Sequence, residues 1–276
     1  MYCVIGQEVG GLGNQLFIIA AAISYALRNH LQPKILSYWS YKTSSDCVGR
    51  EQSPIIRNAC IDYIITPDDI SKKNWYEYKE PHWHYTPIPY IGNTNVKLCG
   101  YFQSELYFKE DTNIIRQLFY PKINELEKIE QYSIFSNSSQ RKIAVHIRRT
   151  DYVKLSWFHH NLPQSYYDHA MMYFKNKYPH CQFIFFTDDK QFVKQKCHHD
   201  VLINDTDVNE FRLMTQCDDF IIANSTFSWW GAWLSKSDCK TVIAPKTWFL
   251  SGISDWQSIY CDGWIVMDDD GTFLIH

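Results

Sequence analysis

Apolar and polar positions fall along this chain in two kinds of block. Short, nearly continuous apolar runs at 2–9, 34–37, 96–100, 142–148, 182–186, 201–203, 220–223 and 241–244 read as strands. Between them, helical periodicity covers 15–29, a stretch from about 105 to 119, 165–177, 190–197, 208–217 and 228–234. Strands that are apolar on both faces, alternating with helices, imply parallel sheets covered on both sides, an α/β class. Residues 41–95 show no assignable period and many aromatics. The polar run Ser136-Asn137-Ser138-Ser139-Gln140 has linker composition and divides the chain into domains 1–139 and 140–276.

Length and charge narrow the function. The 276 residues suffice for one large or two ordinary domains. A net charge of −3 argues against a nucleic-acid partner, whose footprint is basic, but not against one small anion. Aromatics at 16% suit a protein that handles ring-shaped ligands, and suit ordinary core packing equally. The nine cysteines are odd in number and form no Cys-x-x-Cys pair, as expected of thiols in a reducing compartment. The apolar run 16–27 is shorter than the roughly 20 residues a membrane helix needs, and no basic residue precedes it as in a signal peptide. The expectation is a cytoplasmic protein without a transmembrane segment, touching membranes at most peripherally.

Four motifs carry chemistry. The first strand runs into Gly10-Gly11-Leu12-Gly13-Asn14-Gln15 and then a helix. Glycines there allow close approach of backbone to ligand. The dinucleotide fingerprint is incomplete, with Leu16 at its third small position and no acid ending the second strand. The Asn14 and Gln15 amides can bind hydroxyls or phosphate, or Asn14 is simply a helix cap. The strand at 142–148 delivers His146, Arg148, Arg149 and Asp151 to its carboxyl end, where paired guanidiniums suit a phosphate and would otherwise form structural ion pairs. At Phe185-Phe186-Thr187-Asp188-Asp189, adjacent carboxylates can accept from a ribose or base, hold a metal, or cap the next helix. At Ala223-Asn224-Ser225-Thr226-Phe227-Ser228, a strand breaks into hydroxyls at a helix start, a ready anion site or plain capping. Trp229 and Trp233, four apart, read as core.

In order and spacing, Gly10–Gln15, Gly100-Tyr101-Phe102-Gln103-Ser104, His146–Tyr152 and Asn224–Gly231 resemble the GDP-fucose-dependent alpha-1,2-fucosyltransferases. The resemblance runs from the first strand to about Trp248. It implies a GT-B architecture: two Rossmann-like domains facing a cleft, the N-terminal one on the acceptor side and the C-terminal one binding GDP-fucose. It also implies inverting transfer of L-fucose to a glycan hydroxyl, O2 of a terminal galactose, without a metal or cofactor.

On that resemblance Arg148, Asp151 and Asn14 are the candidate catalytic residues. Arg148, with Ser225 and Thr226, would stabilise charge growing on the β-phosphate. Gly11, Gly13 and Gln15 would bind substrate on the first domain. On the second, His146, Arg149, Asp188, Asp189, Asn224 and Phe227 would surround the nucleotide, Asp188 or Asp189 taking the ribose or guanine. Alternation sets Arg149 opposite Arg148, to pair with Asp151 or reach the second phosphate. Asp151 and Glu8 are the candidate bases. The competing readings are a transferase for another nucleotide sugar, such as GDP-mannose, and an inactive sugar-binding homologue.

Overall fold

A computed structural model describes residues 2–7, 10–36, 55–56, 63–65, 67–126, 135, 140–197, 199–250 and 255–274. The chain forms two compact α/β units, Met1–Tyr120 with Asp255–Cys261, and Pro121–Ser254 with Asp262–His276. The division thus falls at Tyr120, and most of the polar run at 136–140 lies outside the described residues.

The first unit is built on a five-stranded parallel sheet in the order β3-β2-β1-β5-β4. Its strands are β1 Cys3–Gly6, β2 Gln32–Leu36, β3 Ile64–Ile65, β4 Trp75–Lys79 and β5 Asn95–Cys99. Helix α1, Leu12–Arg28, crosses from β1 to β2 and is buried on nearly every face from Gly13 to Ala26. Its small residues Ala20, Ala21, Ala22 and Ala26 let it lie close on the sheet. The short α2, Pro67–Ser71, precedes β4, and α3, Thr112–Phe119, follows the last strand. β4 falls within the unassigned 41–95. It is an edge strand with Trp75 and Tyr78 half-buried and Tyr76, Glu77 and Lys79 exposed, braced by Lys97–Glu77 at 2.8 Å, so it presents no apolar run to the eye.

The second unit contains the seven-stranded sheet β12-β11-β10-β9-β6-β7-β8. In chain order its elements are α4 Ile123–Leu126, β6 Lys142–Ile147, α5 Thr150–Lys154, α6 Gln164–Lys177, β7 Gln182–Thr187, α7 Lys190–Lys196, β8 Val201–Leu202, α8 Asp207–Met214, β9 Asp219–Ile221, α9 Thr226–Leu234, β10 Val242–Pro245, β11 Ile265–Met267 and β12 Phe273–Leu274. Six strands are parallel, and β12 closes one edge antiparallel to β11. Counted from β6, the parallel strands run 3-2-1-4-5-6, the doubly wound order in which ligands collect where the winding reverses. That reversal lies between β6 and β9.

The apolar residues of β6 and β7 explain why these strands are central. Ile143, Val145, Ile147, Phe183 and Phe185 pack on Tyr166, Ala170 and Phe174 of α6. Trp229 and Trp233 are core, as expected, with rings stacked at 6.0 Å and 14°. Cys3, Cys99, Cys181, Cys197, Cys217, Cys239 and Cys261 are thiols. Among the described residues no helix is long and apolar enough to cross a membrane.

Candidate functional site

β6 ends at Ile147, β7 at Thr187 and β9 at Ile221, so their following residues emerge side by side at one edge of the second sheet. Arg148 leaves β6 with its guanidinium between two carboxylates, Asp151 at 2.8 Å and Asp188 at 3.2 Å, above the Tyr152 ring at 5.6 Å. Arg149 turns elsewhere: its Nε donates to Asp189 at 3.3 Å and its guanidinium lies 3.7 Å over the Phe192 ring. The expected Arg149–Asp151 pair is therefore corrected. Asp151 sits one helical turn after Arg148, on α5, and the short i to i+3 reach selects Arg148 instead. Both arginines border a recess that also includes Asn161, Gln164, Tyr167 and Phe192.

Asp188 organises this corner. Its Oδ1 accepts from the Arg149 N–H at 2.9 Å, and its Oδ2 from the Thr150 N–H at 3.2 Å and the Thr150 hydroxyl at 2.6 Å. The Arg148 ion pair adds to Oδ2, so four groups meet this carboxylate, three of them on Oδ2. Asp189 caps α7, accepting from the Phe192 N–H at 2.9 Å. The capping reading of this acidic pair is thus the one the local geometry satisfies.

Burial alone would raise the Asp151 carboxyl. The Arg148 hydrogen bond and charge outweigh it and hold the group below the ordinary carboxylate value. Its Oδ2 serves Arg148, while its buried Oδ1 has no hydrogen-bond partner. Glu8 lies outside the described residues.

Tyr152 ties β6 to β9: its hydroxyl donates to the Asn224 carbonyl at 2.8 Å, and its ring stacks on His159 at 3.8 Å and 3°. Tyr152 closes the His146–Tyr152 motif, but neither it nor His159 is among the expected site residues. Asn224 itself is buried, its Nδ2 donating to the His160 carbonyl at 3.1 Å and the Trp248 carbonyl at 2.9 Å. That amide nitrogen is committed to joining three chain segments.

α9 begins at Thr226 with Ser225 as N-cap, two residues earlier than the expected start. The first-turn amides of a helix lack intrahelical acceptors and sit at its positive end. The Ser225 side chain makes no capping hydrogen bond. Ser228, expected among the anion donors, is fully buried and donates to the Ser225 carbonyl at 3.1 Å, so it serves the helix.

His146 points from β6 beneath this edge, buried, with its ring 5.6 Å from that of Phe227. Its Nδ1 has no partner. Burial first, then the charges of Arg148 and Lys190, push its pKa down to about 3, so the imidazole is neutral at ordinary pH. A histidine whose folded pKa lies below its unfolded value of about 6.5 gives stability that is complete above pH 6.5 and lost on acidification toward pH 3. The expected slope is about 1.4 kcal/mol per pH unit across that window. Urea melts between about pH 7 and 5 should show His146→Phe losing less stability than the unaltered chain. Equal slopes would contradict it.

On the first unit, Gly10 adopts φ +76°, a left-handed conformation open to glycine, and Gly11 is the N-cap of α1. Asn14 is therefore inside the first turn of α1 and is not its cap. Gly13 and Gln15 are buried in the same turn. Gln15 Nε2 donates to the Gly10 carbonyl at 3.0 Å, and Asn14 Oδ1 accepts from Gln103 Nε2 at 3.0 Å.

The family model described as glycosyl transferase family 11 matches residues 49–268. The chain belongs to glycosyl transferase family 11. An alpha-1,2-colitosyltransferase of Escherichia coli is 32% identical over 90% of this chain and 93% of its own length. A galactoside 2-alpha-L-fucosyltransferase of Caenorhabditis elegans is 26% identical over 82% of this chain and 67% of its own. Among solved structures, the fucosyltransferase NodZ from Bradyrhizobium superposes with a TM-score of 0.51 at 16% identity, covering 83% of this chain and 91% of that one. The fold is of the expected GT-B kind, with a doubly wound α/β unit in each half of the chain. The family-11 chain thus carries its Arg148-Arg149 pair and the start of α9 at the switch point of its second sheet.

Proposed function

We infer that this chain is an alpha-1,2-fucosyltransferase: it moves L-fucose from GDP-fucose to O2 of a terminal galactose on a glycan, with inversion. The observation that carries the reading is Arg148, a cation braced by Asp151 and Asp188 beside the amino end of α9. In the transfer, the bond from fucose C1 to the β-phosphate oxygen breaks and GDP leaves with the electron pair. A bond forms from C1 to the acceptor oxygen, whose proton is released. Negative charge grows on the β-phosphate, and Arg148 with the first-turn amides of α9 supplies preorganised stabilisation there. Arg149 can meet the second phosphate. Asp151, held below the ordinary carboxylate value, is a weak base, and its part is to aim Arg148. The acceptor is assigned to the first unit, where Asn14 is the proposed catalytic amide.

A second donor is supported by one comparison. The colitosyltransferase relative suggests colitose, which is fucose lacking its 3-hydroxyl. Incubating the protein with GDP-fucose, GDP-colitose or GDP-mannose and a β-galactoside, with GDP release and linkage read by NMR, tests the reading. A 2-linked α-fucoside is expected. Preferred use of GDP-colitose would replace the donor, and no turnover of any donor would favour the inactive homologue.

The transfer is proposed to need no metal, since Asp188 and Asp189 are committed to protein donors. Activity should persist in excess EDTA. Loss on chelation, restored by Mg²⁺ or Mn²⁺, would place a cation at the nucleotide.

A further inference from the structure

Tyr152 and His159 have no part in the chemistry above, yet the Tyr152 ring lies against its cation. The Arg148 guanidinium sits over that ring at 5.6 Å, and the His159 imidazole stacks on it at 3.8 Å and 3°. Tyr152 is fixed at both ends. Its hydroxyl donates to the Asn224 carbonyl at 2.8 Å, and its backbone carbonyl accepts from Asn161 Nδ2 at 3.3 Å. His159 is fixed in turn by an antiparallel bridge to Phe249 and by the Phe158 ring, edge-on at 4.8 Å and 83°.

Within this cluster two buried atoms lack hydrogen-bond partners, His159 Nδ1 and Asp151 Oδ1. In a neutral imidazole one ring nitrogen is only an acceptor. Protonation would put a hydrogen on both and leave a buried donor unmet, at a cost in desolvation. The bare oxygen that could meet it belongs to Asp151, the carboxylate that braces Arg148 at 2.8 Å. Burial pushes the imidazole below its ordinary value against the pull of the Asp151 charge, and the Arg148 charge adds to the drop. What histidine adds to a plain aromatic here is a charge that comes and goes with pH.

We propose that His159 is a positioning residue: its neutral ring holds Tyr152 against Arg148 and leaves Asp151 to brace that guanidinium. The proposal rests on the transfer reading above, with Arg148 as the cation that meets the diphosphate. Protonated, His159 sets a second positive charge near Arg148 and competes for the same carboxylate, so the cation loses part of its aim. Among the described residues, Arg148, Asp151 and Tyr152 bear on the ring from the end of β6 and from α5. Asp188 acts through Arg148, and the bridged Phe249 is apolar. The adjacent titratable group is His160, paired with Asp269 at 2.7 Å.

The test follows kcat and donor KM with pH in the unaltered protein, His159→Phe, His159→Ala and His160→Gln. Near pH 7.5 His159→Phe, which keeps a flat ring, should retain more kcat than His159→Ala. The latter should lose about fivefold or more, with donor KM within about twofold. As pH falls below about 6.5, the kcat ratio of His159→Phe to the unaltered protein should rise several-fold, because only the unaltered chain gains the charge. His160→Gln should keep the acid fall of the unaltered chain. A flat ratio, an acid fall that disappears in His160→Gln, or losses in both His159 variants that merely follow melting temperature would each overturn the proposal. A readout without substrate keeps it separate from the transfer reading. The His159 Cε1–H NMR signal, assigned by its loss in His159→Phe, should titrate below about pH 6.5. Its midpoint should rise in Arg148→Ala, where the cation that opposes protonation is gone. Arg148→Gln serves if Arg148→Ala does not fold. A midpoint that stays put overturns the proposal even where fucose is transferred, and a midpoint that moves without fucosyl transfer sinks the transfer reading alone.

Discussion

Arg148→Ala should lower kcat by a hundredfold to a thousandfold, a loss of ~3–4 kcal/mol of transition-state stabilisation, while raising the donor KM far less. The guanidinium is braced on Asp151 at 2.8 Å and Asp188 at 3.2 Å, so its orientation is set before substrate arrives. A preorganised cation acts on charge as it develops, which is why the effect belongs in kcat. Arg148→Lys should recover little, because a point charge cannot satisfy two carboxylates and a phosphate as a planar fork can. Arg149→Ala should be milder in kcat. That guanidinium lies on Phe192 and pairs with Asp189, contacts that hold α7 to the strand end. GDP release with saturating acceptor, beside thermal melts, checks all three variants. If Arg149→Ala proves the more damaging to kcat, the roles of the two arginines are exchanged. If neither lowers it, the phosphate reading of this strand end fails.

The second unit was legible in sequence because its strands are buried on both faces. Runs such as Ile143-Ala144-Val145 and Phe183-Ile184-Phe185-Phe186 admit few other readings, and each is followed by a helix. β11 and β12 were missed because they are three and two residues long and carry no periodicity. β4 was missed for its exposure at a sheet edge. The site was legible as a set of motifs but not as a set of partners. Strand alternation placed the two arginines apart, yet it could not say which carboxylate each would meet. That choice depends on α5 starting at Thr150, immediately after the strand, where sequence suggested no helix before residue 165. Asp188 is the sharpest case. Side by side in sequence, Asp188 and Asp189 look like one ligand pair. In the fold each turns to a different task, because the chain bends between them into α7.

Asp188→Ala should therefore be costly in two ways. Four donors converge on this carboxylate, two of them backbone N–H groups at the start of α5. Removing it strands those amides and releases Arg148 from one of its two braces. The first effect predicts a stability loss of roughly 2–4 kcal/mol, the range for unmaking a mostly buried charged acceptor. The second predicts a fall in kcat of at least about tenfold, approaching that of Arg148→Ala. Asp188→Asn keeps the shape and one accepting oxygen, but its amide NH₂ faces donors, so it should fall between. The sequence reading of Asp188 as a ribose ligand makes a different forecast, and binding of GDP and 2′,3′-dideoxy-GDP tells them apart. As a brace, Asp188 leaves the affinity difference between the two nucleotides the same in the unaltered protein and in Asp188→Asn. As a ribose ligand, it makes that difference collapse in the variant while melting temperature and kcat hold. Collapse of the difference with an unchanged melt would return Asp188 to the nucleotide and leave the start of α5 needing another anchor.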